Sequence, residues 1–386
     1  MAFSIQSEIL EALRPEFEKA ADYIDQCIRR GRPIIIRHHN DCDGWAGAIA
    51  LERAIYSRIR QEKGKYAFRY YTRAASPSPY YSMSDSVRDM TQGVSSRFTD
   101  EKPLIIIVDN GSTEQDVMAI RHGKVFGADF IVIDHHFFGD DRITPLVKAH
   151  INPHRIAEDH PFTAGMLCME MALMLHAPEV LVKPLAALSG AGDRVENRQY
   201  QVMAQECGYE PEQLRKLAKT IDYLITKLHF GDTQEYVDIL FGGDRGQQEK
   251  LIAAIFPEVE RMEEKSLAIA DANAHRENHG DTCLQILRYE EVFSRHSSYP
   301  KKGKVVGMLH DKAGDGKVVT AGVSDGSITL RATDEQDFSL HEFLAKVRAE
   351  LPASFAEGGG HARAGTIRVC PSTTEEVLDM LREYIS

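Results

Sequence analysis

The 386-residue chain lacks several things at once. It has no run of about 18 uncharged apolar residues, which excludes a membrane-spanning helix. Its six cysteines, Cys27, Cys42, Cys168, Cys207, Cys283 and Cys370, are scattered and include no Cys-x-x-Cys. That excludes a disulfide framework and a thiolate zinc site. The opening residues Met1 to Glu8 show no basic region followed by an apolar core, so no secretion signal is expected and the compartment expected is cytoplasmic. Positive charge is also short: 46 Lys and Arg stand against 58 Asp and Glu, a net charge of -12. Such a balance disfavours indiscriminate binding to nucleic acid. A nucleic-acid enzyme of this composition needs its basic residues gathered on one face and cations to offset the acids of its site. There are no internal repeats and no low-complexity tract.

What is present is the composition of a globular protein, 43% hydrophobic and 27% charged. The length exceeds one ordinary core and implies two domains with a helical connector. An amphipathic helix opens the chain, with Ile5, Ile9, Leu13, Phe17, Ile24 and Ile28 at helical spacing, Pro15 as a kink or a start, and Gly31 as a stop. Apolar, mostly β-branched runs at Ile34–Ile36, Leu104–Val108 and Phe130–Ile133 read as buried parallel strands. Tyr66–Tyr71 and Ala149–Pro153 read as two further strands, and Ser76 to Pro79 as a loop. Helices are expected over Trp45–Ile59, Thr113–Gly123, Thr163–Leu175 and Val180–Leu188. The alternation predicts an α/β fold with a doubly wound parallel sheet over residues 1–208. A charged, mostly helical stretch follows over 209–281. Residues 282–386 read as a smaller α/β domain, with strands at Leu284–Leu287, Lys304–Leu309, Lys317–Val323, Ser327–Ala332 and Thr366–Val369. Hairpin turns are expected at Asp315-Gly316 and Asp325-Gly326, and helices near Leu340–Leu351 and from Thr374.

The three strong strands all end in metal-binding side chains, and ligands bind at the carboxyl ends of such strands. The first packet is His38-His39-Asn40-Asp41-Cys42-Asp43-Gly44. His39, Asp41 and Asp43 at a spacing of two suit manganese, magnesium or zinc, while Gly44 opens the next helix. The run reads equally as a helix N-cap on Asp43 among surface acids. The second, Asp109-Asn110-Gly111-Ser112, taken alone is an ordinary strand-to-helix turn. Its weight comes from its place beside the others. The third, Asp134-His135-His136, is the most specific: two adjacent imidazoles at a strand end are hard to explain by packing. A fourth, Ser189 to Arg194, offers Asp193, though a helix C-cap with a turn acid explains it in isolation. The fifth is Gly358-Gly359-Gly360-His361-Ala362-Arg363. Its glycines expose backbone N–H groups, and His361 and Arg363 add donors suited to phosphate. A flexible loop is the alternative. Three crowded strand ends predict one shared, polynuclear metal site.

In this order these elements resemble the DHH phosphoesterase superfamily, named for its Asp-His-His motif. The matches are His39 to Gly44, Asp109 to Gly111, Asp134 to His136, Gly192-Asp193, and Gly358 to His361 of the C-terminal DHH-associated domain. Asn152-Pro153 and Thr163-Ala164-Gly165 look like accessory family features. Asp43-Gly44 followed by Gly47-Ala48 looks most like the RecJ-like nucleases, the archaeal ones above all. Bacterial RecJ often carries Asp where this chain has His39. The oligoribonuclease and cyclic-dinucleotide branch places its first histidine at the position held here by Arg37.

The resemblance implies a metal-dependent phosphodiesterase, foremost a manganese-dependent exonuclease for single-stranded DNA or RNA. The alternatives are an oligoribonuclease or cyclic-dinucleotide phosphodiesterase, and an inactive replication scaffold, which should have lost ligands that are present here. It implies two Mn²⁺ ions, with Mg²⁺ as a substitute, roughly 3.5–4 Å apart, and in-line attack by a bridging water. Asp109 would bridge; His39 and Asp41 would serve one ion, and Asp43, His135 and Asp193 the other. His136 would stabilise charge on the phosphate, and Asp134 would orient His135 from behind. Arg331, Gly359, Gly360, His361 and Arg363 would bind the rest of the substrate. Expected partners are single-stranded nucleic acid or a short or cyclic oligonucleotide, with replication or repair proteins beside them and no membrane.

Overall fold

A computed structural model describes residues 2–76, 78–93, 100–227, 239–242, 244–293, 299–314 and 316–386. The chain divides into two compact units, Met1–Ala254 and Ile255–Ser386. The helical stretch 209–281 falls across both.

The first unit is built on a five-stranded, wholly parallel sheet. Its strands are β1 (Ile34–His39), β2 (Tyr71–Ser76), β3 (Leu104–Val108), β4 (Asp129–Ile133) and β5 (Ala149–Ile151), in the order β2-β1-β3-β4-β5. Its helices include α1 (Glu8–Arg30), α2 (Cys42–Lys63), α3 (Met83–Arg88), α4 (Val117–Val125), α5 (Ala164–Met174), α6 (Glu179–Gly192), α7 (Arg198–Glu206) and α8 (Pro211–Lys227). Ile35, Ile105, Ile107, Phe130 and Val132 form a core with Val117 and Ile120 of α4. Alternate strand residues point the other way, where Val108 meets α2 so closely that a Cβ at Gly47 would lie 3.0 Å from it. Helices therefore cover both faces, which is why every residue of β3 is apolar and buried. Each such side chain is worth about 1.5–3 kcal/mol on burial. Ser7 caps α1, Gly31 ends it in the left-handed region, and the helix runs unbroken through Pro15.

The second unit holds a six-stranded sheet, β10-β11-β9-β8-β7-β6. Its strands are β6 (His275–His279), β7 (Thr282–Arg288), β8 (Val318–Ser324), β9 (Ser327–Ala332), β10 (Glu357–His361) and β11 (Ala364–Arg368). Phe343, Val347, Val377, Leu378 and Leu381, from helices Leu340–Glu350 and Thr374–Tyr384, pack against Val319, Leu330 and Ile367.

Three sequence expectations are corrected. Residues Gly64–Arg69 form a 3₁₀ turn, and the strand begins only at Tyr71, where Ile34 supplies its partner. The segment Lys304–Leu309 lies within a helix, Lys302–Lys312. Val305, Val306 and Leu309 bury one helical face, and Val306 seats over Gly322, where a Cβ would lie 2.1 Å away. This tertiary fit overrides the strand propensity of two valines. That helix lies between β7 and β8, which pair in parallel, so the strand expected before the Asp315-Gly316 turn is not there to form a hairpin; Asp315 itself lies outside the described residues, as does Pro77. The glycine run, for which a flexible loop was the alternative reading, is strand β10, paired antiparallel with β11. Asp325-Gly326 does turn the β8–β9 hairpin.

Candidate metal centre

The register of the first sheet sets His38 beside Val108 and Val108 beside Ile133. The next residue on each strand, His39, Asp109 and Asp134, therefore emerges at one edge of the sheet. Asp109 turns there with φ 60°, a left-handed conformation that costs a non-glycine residue about 1–3 kcal/mol. Its amide is anchored on the Ile133 carbonyl at 2.9 Å. Strain paired with a buried carboxylate marks the position as one held for its side chain.

Asp41, not Asp43, caps α2, accepting from the Gly44 amide at 3.0 Å. Gly44 is required there, because a Cβ would stand 2.3 Å from the His39 carbonyl oxygen. Freed from capping, Asp43 meets the N-terminus of α5. It accepts from the amides of Ala164 at 2.9 Å and Gly165 at 2.7 Å, and from the Ser189 hydroxyl at 2.5 Å. A Cβ at Gly165 would lie 2.4 Å from Ser189 Cβ and 3.0 Å from Asp43 Oδ1, so glycine permits this approach. Helix dipole and fixed donors thus hold the Asp43 carboxylate in place. Asp193 arrives at the C-terminus of α6.

The six expected ligands converge. His39 Nδ1 lies 2.7 Å from Asp41 Oδ2 and 3.3 Å from Asp109 Oδ2. His135 Nε2 lies 3.5 Å from Asp43, 3.3 Å from Asp109 Oδ1 and 3.3 Å from Asp193. Three groups have ligand atoms within 4.8 Å of one another: His39, Asp41 and Asp109; Asp43, His135 and Asp193; and Asp109, His135 and His136. The two oxygens of Asp109 face different groups. Burial first, then Asp41 and Asp43, push the Asp109 carboxyl well above its usual range. Burial would lower His39, but Asp41 and Asp109 outweigh it and raise its pKa to about 10. Four carboxylates and three imidazoles so close together form an all-oxygen-and-nitrogen donor set that fits a pair of divalent cations, whose charge would relieve the repulsion.

Asp134 sits behind this edge, fully buried. The expectation had it orient His135. Its Oδ1 instead lies 2.8 Å from His136 Nδ1 and accepts the His135 amide at 2.8 Å, so it aims the second ring and fixes the backbone of the first. Despite burial, His136 holds the Asp134 carboxyl below the usual carboxylate range.

Several supporting residues were not singled out as site residues in the sequence. Ser112 donates its amide to Asp134 and pairs with His150 at 3.0 Å, and Asn152 donates to Ser112 Oγ and to the His136 carbonyl. His160 stands 6.4 Å from His135 and 4.4 Å from His154, ring to ring. Only the Asn-Pro and Thr-Ala-Gly pairings hinted at these loops. Arg37 is buried in an ion pair with Asp89 of the segment following α3, and it lies 3.6 Å from Asp85.

In the second unit, Gly360 pairs with Gly365, His361 with Ala364, and Ala364 with Arg331, so Gly360, His361 and Arg331 lie on neighbouring rungs, and Arg363 lies in the turn between β10 and β11. Arg363 donates to the carbonyls of Thr333 and Gln336.

A parallel sheet whose strand ends gather Asp and His defines a two-unit α/β protein with a candidate dinuclear centre. Residues 33–192 match the model of the DHH family, N-terminal domain. The chain is 31% identical to an uncharacterized protein of Methanocaldococcus jannaschii, over 99% of this chain and 55% of that protein, so it spans about half the length of that curated relative. The solved DHH domain of a member of a family of ribosomal proteins is 31% identical and covers 100% of this chain and 93% of its own, with a TM-score of 0.93. RecJ from Thermus thermophilus, solved in complex with Mn²⁺, superposes with a TM-score of 0.65 at 17% identity, over 96% of this chain and 54% of that one. The chain belongs to the DHH family. Among the described residues no helix is long and apolar enough to cross a membrane.

Proposed function

We propose that the chain is a two-cation phosphodiesterase of the RecJ-like kind, hydrolysing single-stranded DNA or RNA. The observation that carries this reading is Asp109, whose Oδ2 lies 3.3 Å from His39 and whose Oδ1 lies 3.3 Å from His135. One carboxylate is thereby offered to two ligand groups. His39 and Asp41 would hold one ion, Asp43, His135 and Asp193 the other, with Asp109 between them. Bound there, Mn²⁺ or Mg²⁺ would supply Lewis acidity and acidify the attacking water.

The chain's own residues do the rest. Asp43, fixed by two amides and a hydroxyl, keeps its group from collapsing onto His135. His136, about one-third exposed at the edge, presents its ring to a phosphate oxygen. With Nδ1 facing Asp134, the imidazole is oriented and kept ready to donate from Nε2 to charge developing on phosphorus. Arg331, Gly359, Gly360, His361 and Arg363 are proposed to bind the remaining nucleotides, a role that rests on the resemblance of Gly358 to His361 to the family's C-terminal domain.

Arg37 favours the nuclease over the small-nucleotide branch. Its position would carry a ligand histidine in that branch, and here it is buried against Asp89. The test sets purified protein and Mn²⁺ against end-labelled single-stranded DNA, RNA and cyclic di-AMP. Degradation of a single strand, lost in Asp134→Ala and His136→Ala, is expected. Turnover of cyclic di-AMP alone, or full activity in both variants, would refute the reading.

A further inference from the structure

The 3₁₀ turn Gly64–Arg69, which joins α2 to the edge strand β2, carries a feature the metal centre does not use. Phe68 is 63% exposed and Tyr66 46% exposed, while Ala67 between them is buried and anchors the turn. Single exposed rings are ordinary; two on one turn, each faced by cations, are not. The Arg69 guanidinium lies 4.9 Å from the Tyr66 ring centre and 5.6 Å from that of Phe68. Lys65 Nζ lies 5.2 Å from Tyr66, and Lys63 Nζ 5.3 Å from Tyr70. From Arg58 to Arg73 the sequence has six basic residues against the single acid Glu62; Arg58 is held by Asp25 and Arg73 by Glu52, so the local excess rests on Arg60, Lys63, Lys65 and Arg69. In a chain of net charge -12, this is a strong local reversal of sign.

We propose that this turn is a stacking platform for single-stranded nucleic acid, a second contact separate from the metal centre. Each nucleotide carries a flat base and a phosphate, so a strand repeats both chemistries the turn offers. The rings accept bases without regard to sequence, and the cations take the phosphates. An acidic, apolar protein segment could match the charge but not the paired ring faces. The location sets a length requirement. Strand β2 starts at Tyr71 beside the turn and ends at Ser76, which pairs with His39. Its six residues separate platform and metal edge by roughly 20 Å. A dinucleotide cannot occupy both; a 20-mer can.

The inference rests on the proposed nucleic-acid substrate, and the experiment separates the two. Two double variants, Tyr66→Ala/Phe68→Ala and Lys65→Gln/Arg69→Gln, are compared with the unaltered chain in Mn²⁺. Binding of a fluorescein-labelled, hydrolysis-resistant phosphorothioate (dT)20 is followed by anisotropy, and hydrolysis of a thymidine dinucleotide is followed alongside. Lys65, Tyr66 and Phe68 are exposed and Arg69 is half-buried, so the aromatic variant's melting curve should not move, and that of the second variant separates loss of affinity from loss of fold. Both variants should bind the 20-mer about tenfold or more weakly. The lysine–arginine variant should also lower the salt slope by about one to two. Dinucleotide hydrolysis should be unchanged. Undiminished 20-mer affinity would overturn the platform, as would altered sedimentation with unaltered affinity, which would mark a protein contact. Should the chain hydrolyse nothing, the reading of the metal centre fails, while 20-mer affinity still decides the platform.

Discussion

Asp134 Oδ1 lies 2.8 Å from His136 Nδ1, while the same oxygen accepts the amides of His135 at 2.8 Å and His136 at 3.2 Å. One buried carboxylate thus sets the conformation of the whole Asp-His-His turn. Asp134→Asn keeps an acceptor for the amides but removes the charge that orients the imidazole. Hydrolysis should fall about 100-fold or more, with far less effect on cation binding, because Asp134 stands outside all three ligand groups. Steady-state rates set beside a Mn²⁺ titration of the same variant check this.

Gly165→Ala places a methyl 2.4 Å from Ser189 Cβ and 3.0 Å from Asp43 Oδ1. Overpacking of this kind costs about 1–3 kcal/mol, and it displaces the carboxylate that the α5 amides hold. The variant should melt earlier and bind Mn²⁺ more weakly, by calorimetry. Gly359→Ala, where a Cβ meets nothing within 4 Å, is the control and should leave both properties intact.

Much of this site was legible in the sequence, and the reason is geometric. Parallel strands buried on both faces must be apolar, so the polar packets His39 to Asp43, Asp109 and Asp134 to His136 stand out against Ile34–Ile36, Leu104–Val108 and Phe130–Ile133. What binds Asp43 was not legible, because the amides of Ala164 and Gly165 are carried by every residue type and only the fold brings them 2.9 and 2.7 Å from a carboxylate more than a hundred positions away. The capping role of Asp41 was hidden for a similar reason: Asp41 and Asp43 are the same residue type, and only the backbone shows which of the two caps the helix. In the second unit Val305 and Val306 suggested a strand, and a helix forms because Gly322 leaves room for it.

His150 offers a pH test apart from the ligands. Buried between the hydroxyls of Ser112 at 3.0 Å and Thr144 at 2.9 Å, its imidazole is held neutral, and burial lowers its pKa to about 4 from an unfolded value near 6.5. The unfolded chain therefore takes up a proton below pH 6.5 that the folded chain refuses until about pH 4. The stability this residue contributes is complete above pH 6.5 and lost as pH falls to about 4. Denaturant unfolding should show that slope in the unaltered chain and a shallower one in His150→Asn. The variant should also lose about 1–3 kcal/mol at neutral pH by leaving a hydroxyl unpaired.

Cation binding should release protons. His39, raised to about 10 by Asp41 and Asp109 against burial, carries a proton at neutral pH that a ligand nitrogen must give up. Mn²⁺ affinity should rise with pH from 6 toward 9, and calorimetry in buffers of different ionisation enthalpy should count the protons. His39→Gln should bind with fewer protons released.

Whether Asp109 stands between two cations is decided by anomalous diffraction at the manganese edge from crystals grown with Mn²⁺. Two peaks are expected, roughly 3.5–4 Å apart, one beside His39 and Asp41 and the other beside Asp43, His135 and Asp193, with both weakened in Asp109→Ala. A single peak remote from Asp109, or two peaks that survive its removal, would contradict that placement.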